Sequence, residues 1–175
     1  MGMLNARLYD TIKSYGYHLE SLNSAPDMDF AFISGKSLGH NSAVIRSSDK
    51  ICNISIVIGI LDAIPSPHKE SIAIDALELN AIHPLARISA LKVSGSDGQE
   101  TRYYMLLIAE TSFFHTEMTQ EKFDARADAV DRVGFAFSKS LSSKGFLSQH
   151  NPWYSRLQTG TEPSPSEYQK PGHSQ

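Results

Sequence analysis

The sequence predicts an α+β domain: a mixed, mainly antiparallel sheet of about five strands with three helices, in the order α-β-β-β-α-β-β-α. Three observations carry this. Cys52, Ile54, Ile56, Ile58 and Ile60 alternate with their neighbours, the two-residue period of a strand. Phe123, Ala127, Val130, Gly134, Phe137 and Leu141 recur at steps of four and three, the narrow apolar seam of a helix. Strand-like segments come in runs instead of alternating one by one with helices, which argues against a parallel α/β arrangement.

Taken in order, Leu4, Leu8 and Ile12 fall every four residues and define one face of a first helix. Gly16 suits the position just past its end. Tyr17 and Leu19 open a short extended piece, and Asn23, Ser24, Pro26 and Asp27 read as a turn. Phe30 to Ile33 is the first strand. Gly35 to Asn41 is a Gly- and Ser-rich turn, and Ala43 to Ile45 is the second strand, closed by Ser47, Ser48, Asp49 and Lys50. The third strand is the alternating run ending at Ile60. Asn53 and Ser55 lie on its other face, which turns apolar again at Val57. A second helix is expected to use Ser66 as its cap and Pro67 as its first residue. Ile72, Ala76 and Leu79 form its stripe, flanked by Ile74 and Leu77, and Pro84 stops it at His83.

Ile88 to Val93 and Arg102 to Glu110 form a hairpin around Gly95, Ser96, Asp97 and Gly98. Its second arm, Tyr103 to Ile108, is apolar on both faces and reads as a central or doubly covered strand. The third helix is capped at Thr119 and ends near Gly145, with Asp124, Arg126, Asp128, Asp131, Arg132 and Lys139 on its wet faces. From Ser148 onward proline and polar residues take over. The domain is therefore expected to span 1–147, with 148–175 a flexible Pro-rich tail from which Trp153 and Tyr154 could dock back.

A chain of 175 residues can bury one substantial core without disulfides or metal. The net charge of -3 and the scatter of its 16 Lys and Arg residues argue against a phosphate-tracking surface. The single cysteine, Cys52, can form neither an internal disulfide nor a multi-cysteine zinc site, and its isoleucine neighbours make it a core hydrophobe. The first residues lack the basic and apolar regions of a signal peptide, and Ala6 stands where myristoylation after Gly2 would need Ser or Thr. The longest apolar stretch, Ile54 to Leu61, is too short to span a bilayer. The expectation is a cytoplasmic protein with neither membrane nor nucleic-acid partners.

Motifs for chemistry are sparse. Gly35-Lys36-Ser37 resembles the end of a phosphate-binding loop, but Phe30 stands where that loop needs its first glycine. His115 and Glu117 lie close in sequence, yet two ligands do not make a metal site. No Gly-x-Ser-x-Gly elbow occurs. Glu70, Asp75 and Glu78 read as the wet side of the second helix. Tyr103 and Tyr104, with Arg102 and Arg87 nearby, have the composition of a base-stacking strand, but two adjacent tyrosines are more often cross-strand packing. No catalytic residue, metal or cofactor is assigned.

What the sequence does carry is surplus apolar surface. The third strand, the second helix and the last hairpin arm are each apolar on more than one side, and uncovered sheet faces and edges capture partner segments or second copies. Ile54, Ile56, Ile58, Tyr104 and Leu106 are the candidate partner-binding residues. The alternative is a small-ligand-binding or enzymatic domain whose pocket gathers His115, Glu117, Arg87 and Arg102.

Ala76-Leu77-Glu78-Leu79-Asn80, followed by Pro84 and Arg87 at the start of a strand, resembles a passage of the bacterial sensory-transduction-regulator family. Tyr15-Gly16-Tyr17 after a first helix, and a last helix entered through Thr119-Gln120-Glu121 with Val130, Val133 and Phe137 facing in, are similar too. The element order also resembles the class I type III secretion chaperones. The pattern covers about residues 4 to 145, and the tail has no counterpart in it. The resemblance implies a non-enzymatic, homodimeric, cytoplasmic bacterial protein that holds another polypeptide, or a regulator of similar fold.

Overall fold

The computed structural model describes residues 3–25, 28–39, 41–48, 50–96 and 101–160. Its elements are α1 (Met3–Ser14), β1 (His18–Ala25), β2 (Met28–Ser34), β3 (Ser42–Ser47), β4 (Ile51–Ile60), α2 (Ser66–Ile82), β5 (Arg87–Ser96), β6 (Thr101–Phe114), α3 (Gln120–Ser143) and α4 (Tyr154–Thr159). The sheet has six strands in the order β1-β2-β3-β4-β6-β5, and every neighbouring pair is antiparallel. The first four strands form a meander. Helix α2 then carries the chain to the far edge, and β6 returns between β5 and β4.

The α+β class holds, with one more strand and one more helix than expected. The extra strand, β1, has the polar sequence HLESLNSA and an irregularity between Leu19 and Ser21, so no two-residue period is visible in it. Asn23 and Ser24, expected in a turn, pair with Phe30 and Asp29. Pro26 and Asp27, the Leu4 side chain, Asp97 and Gly98 of the expected hairpin turn, and tail residues 161–175 lie outside the described residues. At the start of α2, Ser66 is already helical. Pro65 takes the capping position without a side-chain bond.

Helices cover one face of the sheet. Leu8, Tyr9 and Ile12 of α1, Ile72 of α2 and the seam of α3 meet Ile33, Ile45, Ile54, Ile56, Ile58 and Ala109 in a single core. All six seam positions of α3 are buried, as the four-three spacing predicts. Thr119 caps the helix by accepting the Lys122 N–H. At the other end Phe146 N–H reaches Leu141 O and Gly145 N–H reaches Ser142 O, with Gly145 at φ 77°. That is a Schellman ending, and the ring of Phe146 folds back onto the core. Phe123 anchors the first turn among the rings of Tyr15, Tyr17 and Phe113. Burial, a hydrogen bond to Asp124 and the neighbouring acidic charge push the Tyr17 hydroxyl well above the ordinary tyrosine range. Cys52 is also buried, which raises its thiol well above the usual range and leaves it inert.

At the β5 edge, Asn80 of α2 places its side-chain amide against the strand. Its Nδ2 donates to Ile88 O at 2.9 Å, and its Oδ1 accepts the Ile88 N–H at 2.6 Å. One side chain thus satisfies both outward backbone groups of an edge residue.

The packed region extends past the expected boundary at 147, because residues 148–160 are clasped onto α3. The indole of Trp153 is fully buried over Gly134. A Cβ at Gly134 would lie 2.2 Å from that ring. Trp153 Nε1 donates to Asp131 Oδ1 at 2.7 Å, and Arg156 Nη1 reaches both Asp131 oxygens at 2.9 and 3.0 Å. Asn41 Nδ2 adds a bond of 2.9 Å from the loop before β3. Asp131, expected on a wet face, is therefore buried. Asn151, also buried, donates to Ser138 Oγ and to Ile58 O, both at 3.0 Å. Ile58 is the extra residue of a β-bulge, where the register with β6 shifts between Val57 and Gly59. The clasp thus supplies a partner to a carbonyl beside an interrupted ladder.

Trp153→Ala should destabilise the fold by about 3–5 kcal/mol, the usual cost of deleting a buried aromatic. Gly134→Ala should displace the indole. Urea denaturation followed by circular dichroism reads the loss in Trp153→Ala, and because Trp153 is the only tryptophan its emission reads Gly134→Ala, with a red-shifted native spectrum expected.

Candidate functional site

The face of the sheet opposite the helices is the candidate site. Its composition follows from strand alternation: residues whose neighbours point into the core must point away from it. Residues directly opposite on adjacent strands share a face, so the register resolves this surface into rows. One row runs Phe30, Arg46, Asn53, Ser112. The next runs Phe32, Val44, Ser55, Glu110, Arg87. Beyond these lie Val57, Ile108 and Ser89, then Ile60, Leu106 and Leu91, then Tyr104 and Val93. The surface has a polar centre and an apolar field beside it.

The apolar field is open. Phe32, Val57, Ile60 and Tyr104 are between 39 and 46 % exposed. Large apolar side chains in such numbers on one sheet face mark a docking surface more often than scattered exposure does.

The polar centre is built around Glu110, which is buried although no helix covers it. Its Oε1 accepts Ser89 Oγ at 2.6 Å and Arg87 Nε at 3.1 Å, with Arg87 Nη2 also 3.1 Å away. Its Oε2 accepts Asn53 Nδ2 at 3.2 Å and lies 3.7 Å from Arg46 Nη2. Arg46 Nη2 also donates to Asn53 Oδ1 at 3.0 Å. Burial pushes the Glu110 carboxyl up, but the hydrogen bonds from Ser89 and Asn53 and the charge and hydrogen bond of Arg87 outweigh it. The group is held below the ordinary carboxylate range.

The five expected partner-binding residues separate. Ile54, Ile56 and Ile58 are buried in the core, because α3 and the rest of the helical layer cover that side of β4. Tyr104 and Leu106 stand on the open face. The four residues of the small-ligand alternative do not gather. His115 Nε2 lies 3.1 Å from Ser47 Oγ, Glu117 is 4.0 Å from Arg126, Arg87 is held by Glu110, and Arg102 is exposed opposite Gly95 near the other end of the sheet. Tyr103 and Tyr104 are sequence neighbours in one strand and point to opposite faces, so they form no common stacking platform. Lys92 Nζ sits 4.4 Å over the Tyr103 ring. Gly35-Lys36-Ser37 lies where the chain passes tightly beside Tyr17, whose ring a Cβ at Gly35 would meet at 2.7 Å.

The Glu110 centre was missed by sequence reasoning. Its signal was present: Glu110 is the sole acidic residue in β3, β4, β5 and β6 together. Two other features complete the surface. Helix α2 leaves Ile74, Leu77 and Ile82 exposed, Leu77 to 68 %, with Leu85 just beyond. Next to them a shallow pocket of about 300 Å³ is lined by His83, Pro84, Leu85, Ala125, Asp128, Ala129 and Arg132. Asp128 and Arg132 in it pair with each other at 2.6 Å. Among the described residues, no three His, Cys, Asp or Glu side chains come together to hold a metal ion. No described helix is long and apolar enough to cross a membrane.

No protein-family model matches this chain, and no curated protein matches it. Among solved structures, an uncharacterized protein from Methanothermobacter thermautotrophicus is similar, with a TM-score of 0.53 and 7 % identity. The match covers 80 % of this chain and 97 % of that one. At that identity the likeness concerns the fold alone.

Glu110→Gln should destabilise the protein by about 1–3 kcal/mol at neutral pH, the range for charged hydrogen bonds lost in a shielded site. Because folding lowers the Glu110 pKa, this contribution is complete above the unfolded value of about 4.3 and disappears as pH falls through the lower folded value. Denaturation of both proteins from pH 7 to pH 3 should show the gap closing on the acid side. A gap independent of pH would mean that the Glu110 charge contributes nothing.

Proposed function

We propose that this protein is a non-enzymatic protein-binding module that holds a partner polypeptide on the open face of its sheet. The observation that carries the reading is the uncovered apolar field of Phe32, Val57, Ile60, Leu106 and Tyr104, opposite a fully packed helical layer. The helix and strand order is in keeping with the class I secretion chaperones and sensory-transduction regulators that the sequence resembles. On this reading the protein works in the cytoplasm as a homodimer. The outward stripe of α2, Ile74, Leu77 and Ile82, supports self-association, since an exposed apolar helix stripe is stabilised by packing on a second helix.

Two measurements test this. Light scattering after gel filtration should give twice the 19.3 kDa chain mass, and Leu77→Glu should return it to the monomer value with the fold intact. A wild-type monomer at micromolar concentration removes the dimer. A photo-crosslinking residue placed at Ile60 or Tyr104 should trap one discrete polypeptide in the native cell, whereas one at the exposed Lys122 of α3 should not. The same adducts from all three positions, or none, would argue against the open face as the site.

A further inference from the structure

The charge on the open face is unbalanced in a way that specifies what it binds. On the open face of strands β3 to β6 lie three basic residues, Arg46, Arg87 and Arg102, against the one acidic residue Glu110. Arg46 and Arg87 approach Glu110 from opposite sides, across β4 and from β5. A single carboxylate therefore orients two guanidiniums and neutralises one of them. Its own oxygens are fully engaged by Ser89, Asn53 and the two arginines. The Arg87 side chain is 65 % exposed, and its Nη1 makes no bond to any described residue. An excess positive charge with free, planar donors is left in the middle of a sheet face on which Arg102, near the other end, is the one further charged side chain of these strands.

We infer that the open face takes an extended segment whose carboxylate, from an Asp or Glu side chain, seats on Arg87 and Arg46 while its apolar side chains lie over Val57, Ile60, Leu106 and Tyr104. This rests on the reading of the protein as a partner-binding module and adds the partner's chemistry to it. The spacing follows from the register. Val57 and Ile108 are one row from Glu110, Leu106 and Ile60 two rows, and Tyr104 three. Rows two residues apart along a strand are separated by about 7 Å, which is also the repeat of an extended partner. A segment running along the strands thus matches the face with an acidic residue at one position and apolar residues two and four positions away. Guanidinium and carboxylate meet in a two-bond fork, so Arg87 favours a carboxylate over an amide.

The probes are three fluorescein-labelled eleven-residue peptides with apolar residues two and four positions from a central Glu, Gln or Lys. Anisotropy titrations use the full chain at moderate salt. The Glu peptide should bind about tenfold more tightly than the Gln peptide, with the Lys peptide weakest, and high salt should erase the difference. Arg87→Gln, at an exposed side chain, should remove the preference, so that the Glu and Gln peptides bind alike; Arg46→Gln serves as a second variant should the first unfold. Val57→Asp should weaken the Glu and Gln peptides. Equal affinity for all three peptides, with Val57→Asp still weakening them, overturns the carboxylate seat and leaves the module reading standing. Absent binding, or binding indifferent to Val57→Asp, overturns both.

Discussion

A carboxylate inside a protein must be surrounded by donors, and Asp131 meets that requirement by drawing separate pieces of chain onto one helix. Asn41 comes from the loop before β3, and Trp153 and Arg156 come from beyond the end of α3. Gly39, in the left-handed region at φ 60°, lets the loop pass where a Cβ would meet Arg156 Nη1 at 2.5 Å and Asp131 Oδ1 at 2.8 Å. Along the same helix, Gly134 makes room for the indole and Ser138 accepts Asn151. Positions 131, 134 and 138 repeat at three and four, so a single stripe receives the whole clasp. Charge, absence of a side chain and a hydroxyl each have a distinct task along it.

Fixing α3 in this way decides which side of the sheet is occupied. The helix lies over β4, β5 and β6, and its apolar seam fills the space above the isoleucines of β4. Further bonds tie α2 to α3, where Lys144 and Ser140 both reach Asp75 and Lys144 Nζ lies 2.7 Å from Ser71 Oγ. With the helices committed to one side, nothing among the described elements covers the other. The Glu110 centre keeps that side from being uniformly greasy. It holds two charged groups in place on a surface that would otherwise attract any apolar material indiscriminately.

How much of this was legible in the sequence depends on whether a residue's task was local or distant. The seam of α3, its Thr119 cap and its Gly145 ending are local patterns, and each reads directly from spacing. The alternating isoleucines located β4 and the surplus of apolar strand surface. They did not say which face the helices would take, so three isoleucines proposed for partner binding belong to the core. That choice is set by packing between elements far apart in sequence. β1 was illegible for a different reason: pairing with β2 makes it a strand, and an edge strand with a bulge need not alternate. Asp131 looks like any solvated acid on a helix until Trp153 and Arg156 arrive. The composition of residues 148–160 is that of a tail, yet one indole and one asparagine hold it. Glu110 was the reverse case, visible as an isolated charge in apolar strands but meaningless until the register set Arg46 and Arg87 on either side.

Asn80 has a consequence for how this sheet can grow. Its amide imitates a peptide unit at Ile88, so the first outward pairing position of β5 is already filled from within the same molecule. By the alternation of backbone direction, the outward groups that follow belong to Ala90, Lys92 and Ser94. Two such edges brought together antiparallel would set their Lys92 side chains near one another, and like charges on apposed edges repel. Lateral stacking of sheets, the first step toward fibrous aggregates, is blunted on that border.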